Sequence, residues 1–130
     1  MVEDNRPDVF LIREAIRSAN VDAHLEVLAD GEQALRYIDT LERDEAAQCP
    51  ELIILDINLP RRSGGEVLQR LRKSAKCADT IVLVVTSSDS ASDREAVAKF
   101  GVNEYFRKPS EFDDFMKLGP IVKNLLGGGD

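Results

Sequence analysis

Basic charge is what this sequence lacks most. Lys and Arg number 17 against 24 Asp and Glu in 130 residues, a formal net charge of -7. Nucleic-acid and anionic-membrane surfaces both need a basic footprint, so neither kind of partner is expected. Long apolar runs are missing too. The longest, Leu52 to Leu55 and Ile81 to Val85, fall far short of the roughly 20 residues that span a bilayer. No basic-then-apolar segment opens the chain, so no secretory signal is expected. The two cysteines, Cys49 and Cys77, have neither a CxxC spacing nor the density of a secreted scaffold. They read as reduced, small apolar residues. One histidine, His24, with no cysteine nearby, argues against a zinc site. What these absences leave is a small, acidic, cytoplasmic domain spanning residues 1–130, with 43% hydrophobic residues available for a core.

The apolar pattern alternates between short β-like runs and longer helical ones. After Pro7, which suits a first helical turn, Val9, Ile12, Ile16 and Ala19 recur at helical spacing. His24 to Leu28 alternates like a half-buried strand and is punctuated by Asp30-Gly31. Ala34, Leu35, Ile38 and Leu41 mark a second helix, and Glu42 to Pro50 a helix end and loop. Glu51 to Ile57 is a continuous apolar run ending on an aspartate, as in a strand covered on both faces. The theme repeats with a helix from Glu66 to about Ala75 and a second buried strand, Thr80 to Thr86. A serine-rich loop, Ser87 to Ser92, then offers N-caps to a helix that ends at Gly101, a C′ glycine. Asn103 to Phe106 is a short strand, Lys108-Pro109 a break, and Phe112 to Leu126 a last helix kinked at Gly119-Pro120. Phe10, Phe100 and Phe106 are expected in the core, and a Gly127 to Gly129 tail follows. Strands alternating with helices imply a parallel sheet with right-handed crossovers and helices on both faces.

In such sheets a ligand site forms beyond the carboxyl ends of the strands. Glu3, Asp4, Asp56, Thr86 and Lys108 all fall there. Three clustered carboxylates repel unless a cation joins them. Oxygen-only ligands suit Mg²⁺, whose charge with that of Lys108 would balance the three acids. A carboxylate in that setting can act as a nucleophile toward a phosphorylated donor. The lysine would neutralise charge on the transferring group, and Thr86 would donate a hydrogen bond to it.

Val2-Glu3-Asp4-Asn5, Leu55-Asp56-Ile57-Asn58-Leu59-Pro60, Val85-Thr86-Ser87 and Arg107-Lys108-Pro109 resemble the four motifs of the response-regulator receiver (CheY-like) family. The resemblance covers nearly the whole chain. It implies a flavodoxin-like (βα)5 doubly wound parallel sheet with strand order 2-1-3-4-5. It also implies phosphotransfer from a histidine kinase onto Asp56, dependent on Mg²⁺ or Mn²⁺. By the family pattern Asp4, Asp56 and the Asn58 carbonyl bind the metal, with Glu3 acting through water. Lys108 pairs with the phosphoryl group, and the Lys108–Pro109 peptide bond is cis. Thr86 and Tyr105 form the switch, acting on the face of the fourth helix, fifth strand and fifth helix. That face would dock a downstream protein or a second copy of the chain. Asp8 to Glu14, Gly31 to Leu35 and Leu59 to Leu68 are similar to the single-domain, phytochrome-associated branch, which implies a phytochrome-like sensor kinase as partner.

Two other readings compete with a phosphoacceptor that is not a turnover enzyme. One is an aspartyl-phosphate-type metal-dependent phosphatase. That chemistry wants an acid two residues after the nucleophile, and Asn58 occupies the place. The other is a degenerate receiver that only binds a partner. Against the family pattern, only Met1 and Val2 precede Glu3, so the first strand is expected to be shortened.

Overall fold

The computed structural model describes residues 1–88 and 90–127. Asp89 of the serine-rich loop and Gly128 and Gly129 of the tail lie outside them. Three parallel strands make the sheet: β1 (Leu52–Leu55), β2 (Ile81–Thr86) and β3 (Glu104–Arg107), in the order β1-β2-β3. Leu52 pairs with Ile81 and Leu55 with Val84, while Leu83 pairs with Glu104 and Thr86 with Arg107. Val2 extends the sheet by isolated parallel bridges to Leu55 on one side and Leu28 on the other. The lateral order Leu28, Val2, β1, β2, β3 is therefore that of a flavodoxin-like 2-1-3-4-5 sheet.

The two outer positions are stubs. The expected strand from His24 to Leu28 is not formed, and only Leu28 is bridged. A strand is as long as its partner, and Met1 and Val2 offer it a single ladder step. Val2 N–H donates to the Ile54 carbonyl at 2.8 Å and Leu28 N–H to the Met1 carbonyl at 2.8 Å. Beyond Met1 a cavity of about 530 Å³ opens, lined among others by Leu25, Leu28, Leu52, Ile54, Ile38 and Val122. Apolar walls on both sides of an interrupted ladder are a place where burial is still available. Three or four apolar residues joined ahead of Met1 should fill it and raise Tm by roughly 5 °C or more, at the usual ratio of ~3–5 °C per kcal/mol. Differential scanning calorimetry checks this, and an equal Tm would show that the stub suffices.

The helices are α1 (Arg6–Ser18), α2 (Gly31–Arg43), α3 (Gly64–Lys73), α4 (Ala91–Ala98), α5 (Phe112–Phe115) and α6 (Leu118–Leu125). Side-chain caps start four of them. Asn5, Asp30, Ser63 and Ser90 accept from the backbone N–H of Asp8, Gln33, Glu66 and Asp93 respectively. Strand alternation divides the core in two. Ile53, Leu55, Val82 and Val84 pack with Ile38, Leu68 and Val97 from α2, α3 and α4. Ile54, Leu83 and Val85 pack with Ile12, Ile16, Phe115 and Val122 from α1, α5 and α6.

Four local expectations need correction. The last helix is not one kinked rod but two pieces, α5 and α6, parted at Met116 and Lys117. Pro120 falls in the first turn of α6, where a missing N–H is tolerated. Gly119 lets that turn lie against α1, since a Cβ there would run into the Ala15 carbonyl. Phe10 is 60% exposed, because Ile12, Ala15 and Ile16 take the inward face of α1, whereas Phe100 and Phe106 do pack against the core. Gly101 has the expected positive φ of 75° but lies beyond the Lys99 cap. The cysteines are not free thiols. Cys49 and Cys77 are joined in a disulfide, 28 residues apart, with Cα atoms 5.6 Å apart. Cys49 stands in the loop before β1 and Cys77 in the loop before β2. Pairing of those two strands brings the loops side by side.

Candidate functional site at the carboxyl ends of the strands

Each candidate side chain is delivered by the end of a strand. Glu3 and Asp4 follow the Val2 bridge, and Asp56 follows β1. The Asp56 N–H donates to the Val2 carbonyl at 3.1 Å, locking the two acidic segments at the same height. One carboxylate oxygen from each of Glu3, Asp4 and Asp56 lies within 4.8 Å of the others. Glu3 and Asp56 are buried and Asp4 is exposed. Thr86 closes β2, one ladder step from Lys108, whose N–H donates to the Thr86 carbonyl at 2.8 Å.

Lys108 gathers the acids. Its Nζ donates to Asp56 Oδ2 at 3.0 Å, to Asp8 Oδ2 at 2.8 Å, and to Glu3 Oε1. Burial works against this ammonium, but hydrogen bonds to Asp8, Glu3 and Asp56 outweigh it and hold its pKa above the ordinary lysine value. Burial pushes the Glu3 carboxyl up to about 7, against the pull of Lys108 and with the push of the neighbouring Asp56 carboxylate. Between about pH 4.5 and 7 the folded state therefore holds a proton on Glu3 that the unfolded chain, with an ordinary value of 4.5, has released. The stability linked to it is present in full below pH 4.5 and is lost as pH rises through about 7. In EDTA, wild-type stability relative to Glu3→Gln should fall by on the order of 2 kcal/mol between pH 5 and 8, read from urea midpoints. A flat difference would contradict the shift.

The remaining expected residues take up different places. Asn58 N–H donates to Asp56 Oδ1 at 3.2 Å, which fixes the carboxylate from below. Thr86 Oγ1 accepts from the Ser88 N–H at 3.3 Å, and Ser88 Oγ donates to Asp93 Oδ2 at 2.6 Å, so the hydroxyl is tied to the start of α4. Tyr105 is not in the acidic cleft. It is half-buried on β3, and the Arg94 guanidinium lies 4.9 Å above its ring. The Lys108–Pro109 peptide is trans, as is every peptide among the described residues. Trans is the intrinsic preference even before proline, and the anchoring of Lys108 N–H on β2 is met without a cis bond. Asp8 was missed in the sequence. Its only signal was position, one helical turn after Asp4 in the first turn of α1.

The donor set is all oxygen and carries excess negative charge. It fits a hard divalent cation of the Mg²⁺ or Mn²⁺ kind and would suit a soft metal poorly.

A doubly wound sheet with an acidic pair, a strand-end aspartate, a hydroxyl and a lysine at one rim is the arrangement of a two-component receiver domain. Residues 1–118 match the sequence model of the response regulator receiver domain, and the chain belongs to that family. Response regulator Rcp1 from Synechocystis sp. is 31% identical over 118 residues, covering 91% of this chain and 80% of Rcp1. The crystal structure of its Mn²⁺-bound form superposes with a TM-score of 0.81, over 95% of this chain and 88% of that one, at 30% identity. The phosphorylated cyanobacterial phytochrome response regulator RcpA gives a TM-score of 0.86 at 27% identity, over 99% of this chain and 92% of that one. The receiver domain of a Pseudomonas aeruginosa sensor histidine kinase, with a magnesium ion in its active-site cleft, gives 0.74 at 26% identity, over 97% and 93%. The role of the chain is that of a response regulator in two-component phosphorelay signalling, with a divalent metal. Among the described residues no helix is long and apolar enough to cross a membrane.

Proposed function

We propose that Asp56 is the phosphoryl acceptor, that Glu3, Asp4, Asp56 and the Asn58 carbonyl hold Mg²⁺ or Mn²⁺, and that Thr86 and Lys108 receive the phosphoryl oxygens. The observation that carries this is the contact of the Lys108 ammonium with Asp56 Oδ2 at 3.0 Å, beside two further carboxylates. An oxygen of Asp56 forms the new bond to phosphorus as the bond to the donor's imidazole nitrogen breaks, and the released imidazole takes up a proton. Asn58 N–H on Oδ1 and Lys108 on Oδ2 orient the nucleophile. Lys108 neutralises charge on the transferring group, and the Thr86 hydroxyl, which accepts from the Ser88 N–H, donates its own proton in a hydrogen bond to it. A bound divalent cation supplies further charge neutralisation at the same place.

The donor is a histidine kinase, and likeness to phytochrome response regulators favours one of the phytochrome kind. Phosphorylation adds charge, to about −1.5 to −2. Movement of Thr86 toward it breaks the bond from the Ser88 N–H to Thr86 Oγ1, and so uncouples Thr86 from the start of α4, and alters how Tyr105 and Arg94 pack. The output is then a protein contact on the face of α4, β3 and the α5–α6 segment, with a second copy of the chain as one occupant.

Incubation with acetyl phosphate and Mg²⁺ is expected to add one phosphoryl mass at Asp56, read by intact mass spectrometry, and Asp56→Asn should add none. Full incorporation by Asp56→Asn would overturn the assignment. Repeated turnover of para-nitrophenyl phosphate that Asp56→Asn abolishes would instead point to a phosphatase.

A further inference from the structure

Asp8 stands outside the set of strand-end residues, yet it makes one of the closest contacts in the cleft. It lies in the first turn of α1, where its N–H donates to the capping Asn5 Oδ1 at 3.0 Å. Its carboxylate Oδ2 accepts from Lys108 Nζ at 2.8 Å, against 3.0 Å from Nζ to Asp56 Oδ2. An ammonium has three donors, and Glu3, Asp8 and Asp56 take all of them. A phosphoryl oxygen that is to meet Lys108 must take over one of these places.

Solvation decides which. The side chains of Glu3 and Asp56 are 2% and 10% exposed, whereas that of Asp8 is 22% exposed. A carboxylate that reaches water is released most readily, because hydration replaces the bond it gives up. Charge points the same way. With Asp8 the cleft sets four carboxyl groups against one ammonium, so once Glu3 is ionised even a divalent cation leaves a negative surplus facing an anionic donor.

We propose that Asp8 is a positioning residue that holds Lys108 in the resting cleft and surrenders it to the incoming phosphoryl group, so that its charge weakens the site's hold on the donor. This rests on Asp56 as the acceptor. Wild type, Asp8→Asn and Asp8→Glu are compared as full chains, with acetyl phosphate at saturating Mg²⁺. In Asp8→Asn the half-saturating donor concentration should fall about three- to tenfold while the maximal rate stays within about twofold, and Asp8→Glu should return to the wild-type value.

A second readout needs no metal. In EDTA, acylation of Lys108 by an amine-reactive ester, followed by peptide mass spectrometry with Lys123 as reference, should rise at least about threefold in Asp8→Asn. An unchanged half-saturation or unchanged labelling in a folded variant overturns the role of Asp8 while leaving Asp56 as acceptor intact. No phosphoryl uptake by the wild type overturns both.

Discussion

Lys108→Ala is expected to destabilise the metal-free protein at pH 7 by about 3–5 kcal/mol, because breaking a buried ion pair leaves its partners charged and unpaired. Glu3 and Asp56 are both buried, and the ammonium that joins them is itself only 9% exposed as a side chain. At roughly 3–5 °C per kcal/mol for a domain of this size, the loss amounts to a Tm lower by about 10–20 °C. Two treatments should restore much of it. Lowering the pH protonates Glu3, whose carboxyl already sits at about 7 with the lysine in place and rises further without it. Adding Mg²⁺ replaces the missing positive charge, and the variant should bind it more tightly than the wild type does. Thermal scans at pH 5 and 7, with EDTA or Mg²⁺, check all four combinations. A loss below about 1 kcal/mol at pH 7 in EDTA would show that the acids are relieved by water and not by Lys108.

Phe115→Ala should cost about as much, some 3–5 kcal/mol, by a different physical route. Phe115 is 1% exposed, and its ring meets that of Phe106 edge to face with centroids 5.9 Å apart. It fills the space between α1, the short α5 and the sheet face of Ile54, Leu83 and Val85. Truncation leaves a void that these rigid elements cannot close. Neither acid nor Mg²⁺ should recover the lost stability, which separates this effect from that of Lys108→Ala. Urea unfolding at both pH values tests the contrast, and a recovery in Mg²⁺ would mean that the void is coupled to the cleft. Below its lowered transition the variant should still take up phosphoryl, since Phe115 packs in the apolar layer of Ile12, Ile54, Leu83 and Val85.

How much was legible in the sequence follows from which signals are local. Apolar runs ending on Asp56 and Thr86 announce buried strands and their carboxyl ends, the short strand before Lys108 adds a third, and the serines from Ser87 to Ser92 announce the start of α4, which Ser90 caps. A parallel sheet then brings strand ends to one rim, so Glu3, Asp4, Asp56, Thr86 and Lys108 could be named without coordinates. His24 to Leu28 misled because alternation marks a strand's capacity to pair, while formation needs a partner of equal length. Phe10 misled because a large apolar residue gives no sign of which helix face it occupies.

By itself, then, the sequence determined the alternation of elements, the acidic cleft and the kind of chemistry that cleft supports. Only the tertiary structure decided that Asp8 takes a third of the Lys108 ammonium, 100 residues away, and that Cys49 and Cys77 meet across 28 residues. Both depend on distances between segments that are brought together by packing. Pair contacts of that kind leave no period, cap or run in the chain, since nothing in the residues beside either partner has to change for the contact to form.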